Sequence, residues 1–214
     1  MQKNWISQFS ALSFFIFNTL FFSGCTTNNQ SLELGAWNLA STIDTPEGRH
    51  ESTFVEYANL FYSLGGRRIK PISIFDPETN TWRKGSKAPI ELHHFQAIIY
   101  QGKIWIMGAM TGPYPNETPV PNIWIYDPKT DQWEKGDEIP ENRRRGGAGA
   151  VVHNNKFYLI SGVQRGHMGG FVKWLDEYDP ATGEWKILPD APLARDHFQA
   201  AVADGKIFSA GGRN

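Results

Sequence analysis

One octapeptide pattern recurs three times in this chain and constrains its fold more than any other feature. Phe75-Asp76-Pro77-Glu78-Thr79-Asn80-Thr81-Trp82, Tyr126-Asp127-Pro128-Lys129-Thr130-Asp131-Gln132-Trp133 and Tyr178-Asp179-Pro180-Ala181-Thr182-Gly183-Glu184-Trp185 share one reading. Each runs aromatic, Asp, Pro, any, Thr, any, any, Trp. The tryptophans stand 51 and 52 residues apart, and a proline follows each one seven residues later, at Pro89, Pro140 and Pro192. Three residues further on come Leu92, Arg143 and Arg195. Each copy continues with a β-like run, a turn carrying Lys103, Lys156 or Lys206, and a second β-like run. It closes on the pair Gly108-Ala109, Ser161-Gly162 or Gly211-Gly212. An earlier copy fits around Trp37, Pro46, Arg49 and Gly65-Gly66, without the Asp-Pro signature. Repetition at this period means an array of like supersecondary units.

The units are β-sheet. Ile104-Trp105-Ile106-Met107 and Phe157-Tyr158-Leu159-Ile160 are aromatic and β-branched runs too short for helices and bounded by turn residues. Asp-Pro followed by Thr and Asn or Gly is turn chemistry. The Asp side chain accepts backbone N–H groups, Pro fixes φ, and Asn or Gly tolerates positive φ. The Trp after each turn restarts a strand with a large side chain to pack. Composition agrees: of 214 residues, 14% are aromatic and 21 are glycine, which suits many short strands joined by tight turns. Lys plus Arg number 21 against 22 Asp plus Glu, and a balance so near zero gives no basic footprint for nucleic acid. A single cysteine excludes an internal disulfide and any thiolate metal cluster.

The three-fold pattern resembles the kelch repeat, whose blades are four-stranded antiparallel sheets set radially in a β-propeller. The resemblance implies an all-β fold over 31–214, with blades at 49–84, 92–135 and 143–187 and a partial blade over 195–214. Residues 31–37 are expected as the strand that family members add to their last blade. Closed rings have about 4–8 blades. About three and a half blades are therefore expected to be part of a longer ring of six or seven.

Residues 1–24 resemble a bacterial lipoprotein signal. Lys3 precedes the apolar run Phe14–Phe22, then Ser23 and Gly24 lead to Cys25. Cleavage before Cys25 would free its thiol for a diacylglycerol. Residues 25–30 then form a polar tether, and the absence of Asp after Cys25 resembles outer-membrane sorting, facing the periplasm or the cell surface. The expected partners are thus a membrane, through that lipid, and a carbohydrate or protein ligand at the propeller face.

In the family, the loops entering each innermost strand and those joining the second strand to the third open on one face. Here the first set carries Arg49, Glu51, His94, Arg143, Arg145, Arg195 and His197. Guanidinium and imidazole groups around a channel mouth suit carboxylates or sugar hydroxyls. The same arginines equally suit bonds to neighbouring backbone carbonyls. No spacing among the histidines calls for a metal, and no nucleotide-binding or hydrolase motif is present, so no metal or cofactor is expected. The resemblance implies a binding module of the cell envelope. A second family resemblance, to the periplasmic sialic-acid (N-acetylneuraminate) mutarotases, leaves a sugar mutarotase or epimerase as the alternative. Galactose oxidase chemistry needs a Tyr–Cys crosslink, and the sole cysteine lies in the signal.

Overall fold

The structure, a computed structural model, describes Gly35, Trp37 and residues 39–214. The expected signal segment 1–24, Cys25 with its tether 25–30, and residues 31–34 lie outside the described residues. The chain divides at Leu39, and the repeats belong to the unit Ala40–Asn214.

That unit is built of antiparallel sheets. β1 (Ser52–Tyr57), β2 (Leu60–Gly65), β3 (Pro71–Asp76) and β4 (Thr81–Lys87) pair in sequence order. β5 (Ala97–Tyr100), β6 (Lys103–Ile106), β9 (Asn122–Asp127) and β10 (Gln132–Glu138) form a second four-stranded sheet. A short pair, β7 (Met110–Thr111) and β8 (Thr118–Pro119), is inserted in its middle connection. β11 (Gly149–His153), β12 (Lys156–Ile160), β13 (Leu175–Asp179) and β14 (Glu184–Leu188) form the third sheet. β15 (Asp196–Ala203) and β16 (Lys206–Arg213) are a hairpin. The first strands of consecutive units are neighbours: β1 meets β5, β5 meets β11, and β11 meets β15. These innermost strands therefore turn around a common axis.

The repeated octapeptide acts alike in each sheet. Oδ1 of Asp76, Asp127 and Asp179 accepts the amide two residues on, at 2.9, 2.8 and 2.9 Å. That bond closes the turn and sets the register of the following strand. Phe75 then faces Trp82, Tyr126 faces Trp133 and Tyr178 faces Trp185 across the two outer strands. Ring centroids are 4.9, 5.2 and 4.8 Å apart, within the range of favourable aromatic pairs.

The core lies between sheets. Leu64, Ile72 and Ile74 of the first pack on Ile104, Ile106 and Tyr126 of the second. Ile98, Ile123 and Ile125 of the second pack on Phe157, Leu159 and Tyr178 of the third. Val151 and Ile160 meet Phe198 and Ala200 of the hairpin. Side chains alternate between the two faces of a strand, so each middle sheet is apolar on both faces and holds two neighbours.

Candidate functional site at the axial loops

The glycine pairs fix how each innermost strand is entered. Gly65 has φ +73°, and a Cβ there would stand 2.6 Å from the Leu92 carbonyl oxygen, so the approach of the second sheet requires glycine. Arg49 donates from Nη1 to the Gly65 carbonyl at 2.9 Å and from Nη2 to the Pro71 carbonyl at 2.6 Å. Arg145 donates from Nε to the Ser161 carbonyl at 2.7 Å, and Arg195 donates from Nη1 to the Gly211 carbonyl at 3.0 Å. In all three cases donor and acceptor are sixteen residues apart. The guanidinium of the third blade at this position is therefore Arg145, and the alignment of Arg143 with Arg195 is corrected by two residues. The cause is local: a 3₁₀ turn at Glu141–Arg143 lengthens the approach to the third sheet.

Arg145 is fully buried, and its other donors meet the Arg143 and Leu159 carbonyls at 2.8 Å each. Asp176 supplies the counter-charge, with Oδ2 at 2.6 Å from Arg145 and Oδ1 accepting from Arg143 at 2.9 Å. Burial pulls the Arg145 guanidinium down to about 10, which leaves it charged at neutral pH. Arg143 stacks over Trp174, 4.3 Å from the ring centroid. Arg49, Arg143, Arg145 and Arg195 are thus held within the blades.

Glu51, His94 and His197 are gathered elsewhere. Each lies two residues past its blade's guanidinium position, where the second blade has Leu92, and Gly147 is the matching residue of the third blade. All four have positive φ, at 59, 54, 59 and 54° for Glu51, His94, Gly147 and His197. Left-handed backbone at three non-glycine residues costs free energy and is characteristic of functional positions. His94 stands at the centre: its ring centroid is 4.4 Å from that of His197 and 5.4 Å from that of His167. Its Nε2 lies 3.3 Å from Oε1 of Glu51. Burial pushes the His94 imidazole down to about 3, more than the Glu51 carboxylate raises it, so the ring is neutral. A cavity of about 190 Å³ opens here, lined by Glu51, His94, Phe95, Gly147 and His197.

The loops between second and third strands complete the site. Arg67, after β2, binds the carboxylates of both Glu51 and Glu117 and donates to the Gly112 carbonyl at 2.9 Å. Glu117, between β7 and β8, also accepts from the amide and Nδ1 of His167 at 3.2 and 2.9 Å. Burial would raise its carboxyl, but Arg67 and the amide and ring donors outweigh that and hold it near 2. His93 donates from Nε2 to the Gly112 carbonyl at 3.2 Å and lies 2.5 Å from His94 Nδ1 through its own Nδ1. Arg67, His93, Glu117 and His167 carry no repeat signature. They sit beside the axial positions or in loops of unequal length, where spacing says nothing of spatial proximity.

These blades match known proteins. Residues 16–212 fit a family described as the KLHDC2/KLHL20/DRC7 Kelch-repeats domain. The chain belongs to the kelch-repeat family. It is 29% identical to Kelch-like protein terF of Aspergillus terreus, over 89% of this chain and 46% of that protein. It is 26% identical to alpha-scruin of Limulus polyphemus, over 85% of this chain and 21% of that protein. The kelch chain therefore spans less than half the length of these relatives. The solved structure of YjhT superposes with a TM-score of 0.63 at 17% identity, over 74% of this chain and 57% of that one. That likeness concerns the fold alone: an all-β, kelch-type propeller of four-stranded antiparallel blades.

Proposed function

We propose that this kelch propeller is a cell-envelope binding module, lipid-anchored at Cys25, whose loop face takes an anionic ligand presenting a carboxylate, such as an acidic carbohydrate. The observation that supports the ligand class is a cleft of about 570 Å³ between the loop after β2 and the β7–β8 loop, lined by His50, Arg67, Arg68, Lys70, Glu91 and Tyr114. Arg68 and Lys70 are exposed or half-buried at its rim, and the Lys70 ammonium reaches only the Gly48 carbonyl. Tyr114 is 69% exposed, an aromatic face beside the cations. Such a pairing suits a sugar ring that carries an acid group. The arginines of the blade scaffold, Arg49, Arg145 and Arg195, hold backbone carbonyls and Arg67 is held by Glu51 and Glu117, so Arg68 and Lys70 are the cleft cations that face a ligand.

Calorimetry on the full chain with N-acetylneuraminate, glucuronate and galactose tests the reading. The acidic sugars should bind and galactose should not, and Arg68→Ala or Lys70→Ala should each weaken binding about tenfold, equivalent to about 1.4 kcal/mol. Equal binding of neutral and acidic sugars would discard the anionic ligand. Faster anomer relaxation of the free acidic sugar in proton NMR would instead make the module a mutarotase.

A further inference from the structure

Three histidines from three different blades present ring nitrogens that lie within 4.8 Å of one another: His94, His167 and His197. The hydrogen bonds around His94 and His167 fix the tautomers of those two rings. A carbonyl only accepts, so Nε2 of His93 carries the proton it gives to Gly112. Neutral His93 then accepts at Nδ1, and the 2.5 Å contact makes His94 Nδ1 the donor. Nε2 of His94 is left as a bare lone pair, and it is buried with no hydrogen-bond partner. His167 Nδ1 faces Oε1 of Glu117 at 2.9 Å, and His197 Nδ1 faces Oδ2 of Asp196 at 2.7 Å. The Glu117 oxygen accepts from Nδ1 of His167 and leaves its Nε2 free, whereas Asp196 Oδ2 stands beside the His197 ring without a hydrogen bond to it. His94 and His167 therefore each offer a lone pair on Nε2, and His197 brings a ring nitrogen within reach of both.

This is how proteins prepare imidazoles for a metal. The far nitrogen is held by a carboxylate or another acceptor, which sets the tautomer, orients the ring and raises its basicity. Charge points the same way. The carboxylates of Glu51, Glu117 and Asp196 stand around the rings against two guanidinium groups, those of Arg67 and Arg213. Three carboxylates against two guanidinium groups leave a negative balance that a cation offsets. Glu51 adds a further reason: its Oε1 is 3.3 Å from the bare Nε2 of His94, an arrangement of two lone-pair donors that a cation between or beside them relieves. Access exists as well, since the His197 and His167 side chains are 31% and 20% exposed.

We propose that His94, His167 and His197 bind a divalent transition-metal ion of the zinc class through one ring nitrogen each, Nε2 in His94 and His167. Imidazole is the preferred ligand type of zinc, and three of them leave a fourth position for water or a ligand oxygen. At Zn–N distances of about 2.0–2.1 Å, tetrahedral ligands stand about 3.4 Å apart, inside the 4.8 Å within which the three ring nitrogens lie. The site does not depend on the ligand-facing cations of the cleft, Arg68 and Lys70, neither of which touches these three histidines.

The test uses the full chain carrying no histidine tag, stripped with a chelator and titrated with zinc(II) alone by calorimetry. A single zinc ion per chain is expected. His167→Ala and His197→Asn change partly exposed side chains, and Asn tolerates the left-handed backbone at 197. Each should weaken zinc binding by more than the about 10–100-fold that loss of an outer partner costs, and Asp196→Asn should fall within that 10–100-fold range. His153→Ala should leave binding unchanged. Cobalt(II) should give the intense visible bands of a four-coordinate site in the parent and lose them in His167→Ala. Zinc binding that is absent from the parent, or undiminished in the folded double variant His167→Ala/His197→Asn, would overturn the proposal.

Discussion

The amide of His94 donates to the carbonyl of Glu51 at 2.9 Å, joining equivalent residues of neighbouring blades. The same bond repeats twice: Gly147 donates to His94 at 2.7 Å, and His197 donates to Gly147 at 3.1 Å. A left-handed residue at each step turns its amide toward the preceding blade. The bonds form a backbone girdle around the axis, and the side chains at those steps are the ones gathered in the histidine site. The device that closes blade on blade also sets where Glu51, His94 and His197 stand.

Gly147 is the one girdle position without a side chain. A Cβ there would meet the Asp196 Cβ at 3.2 Å, and the backbone has φ +59°. Gly147→Ala should lower stability by about 1–2 kcal/mol, the scale of a left-handed alanine. Chemical denaturation would show this as a lower midpoint with an unchanged slope. An unchanged midpoint would mean that the girdle relaxes freely.

Arg145 and Arg195 occupy the same repeat position with different surroundings. Arg145 is fully buried against Asp176, whereas Arg195 is partly exposed and bonds the Ser209 and Gly211 carbonyls. Arg145→Ala removes one of the two guanidinium partners of the buried Asp176 and the donor to three backbone carbonyls, and should cost about 3–5 kcal/mol. Arg195→Ala should cost about 1 kcal/mol, that of an ordinary hydrogen bond. Thermal and urea unfolding of the two variants checks the ordering. Equal losses would refute the burial argument.

The octapeptide made the sheets legible because its residues act locally. Asp76 caps a turn, Trp82 faces Phe75, and the other two copies repeat both contacts. The axial positions were half-legible. His94 and His197 follow a repeat landmark by two residues, so their direction toward the axis could be read from phase. His167 and Glu117 belong to loops of different length and have no phase to read. Three consecutive arginines hid the register of the third blade, because Arg143 and Arg145 are chemically alike and only the 3₁₀ turn distinguishes them.

Attachment is a separate expectation, carried by the apolar run ending at Cys25. In a Gram-negative host the full chain should incorporate labelled palmitate and partition into detergent. Cys25→Ser should abolish both, since the chain has no other thiol. One or two acyl chains act through about 0.8 kcal/mol per buried CH₂, enough for anchorage when more than one chain is present. Labelling that persists in the variant would remove the lipoprotein assignment.

Asp131 links the first two blades and should make their union sensitive to acid. Its Oδ1 accepts from the Ser86 amide of β4 at 2.8 Å and from the Tyr126 hydroxyl of β9 at 2.7 Å. Burial alone would raise its carboxyl, but those donors and the nearby Arg83 charge hold it below its ordinary value. A carboxyl lowered by folding contributes stability that is fully present above its unfolded value, and that contribution is lost as pH falls through the folded one. Stability should therefore drop from about pH 4 downward, the ordinary range of Asp. Asp131→Asn keeps one acceptor oxygen but cannot titrate, so it should be less stable than the parent at pH 7 and show a shallower acid decline. Tyr126→Phe removes one donor to the carboxylate and should shift the parent's decline toward higher pH. Urea unfolding across pH 2–7 for all three proteins measures this, and parallel curves for the parent and Asp131→Asn would assign the acid sensitivity to other groups.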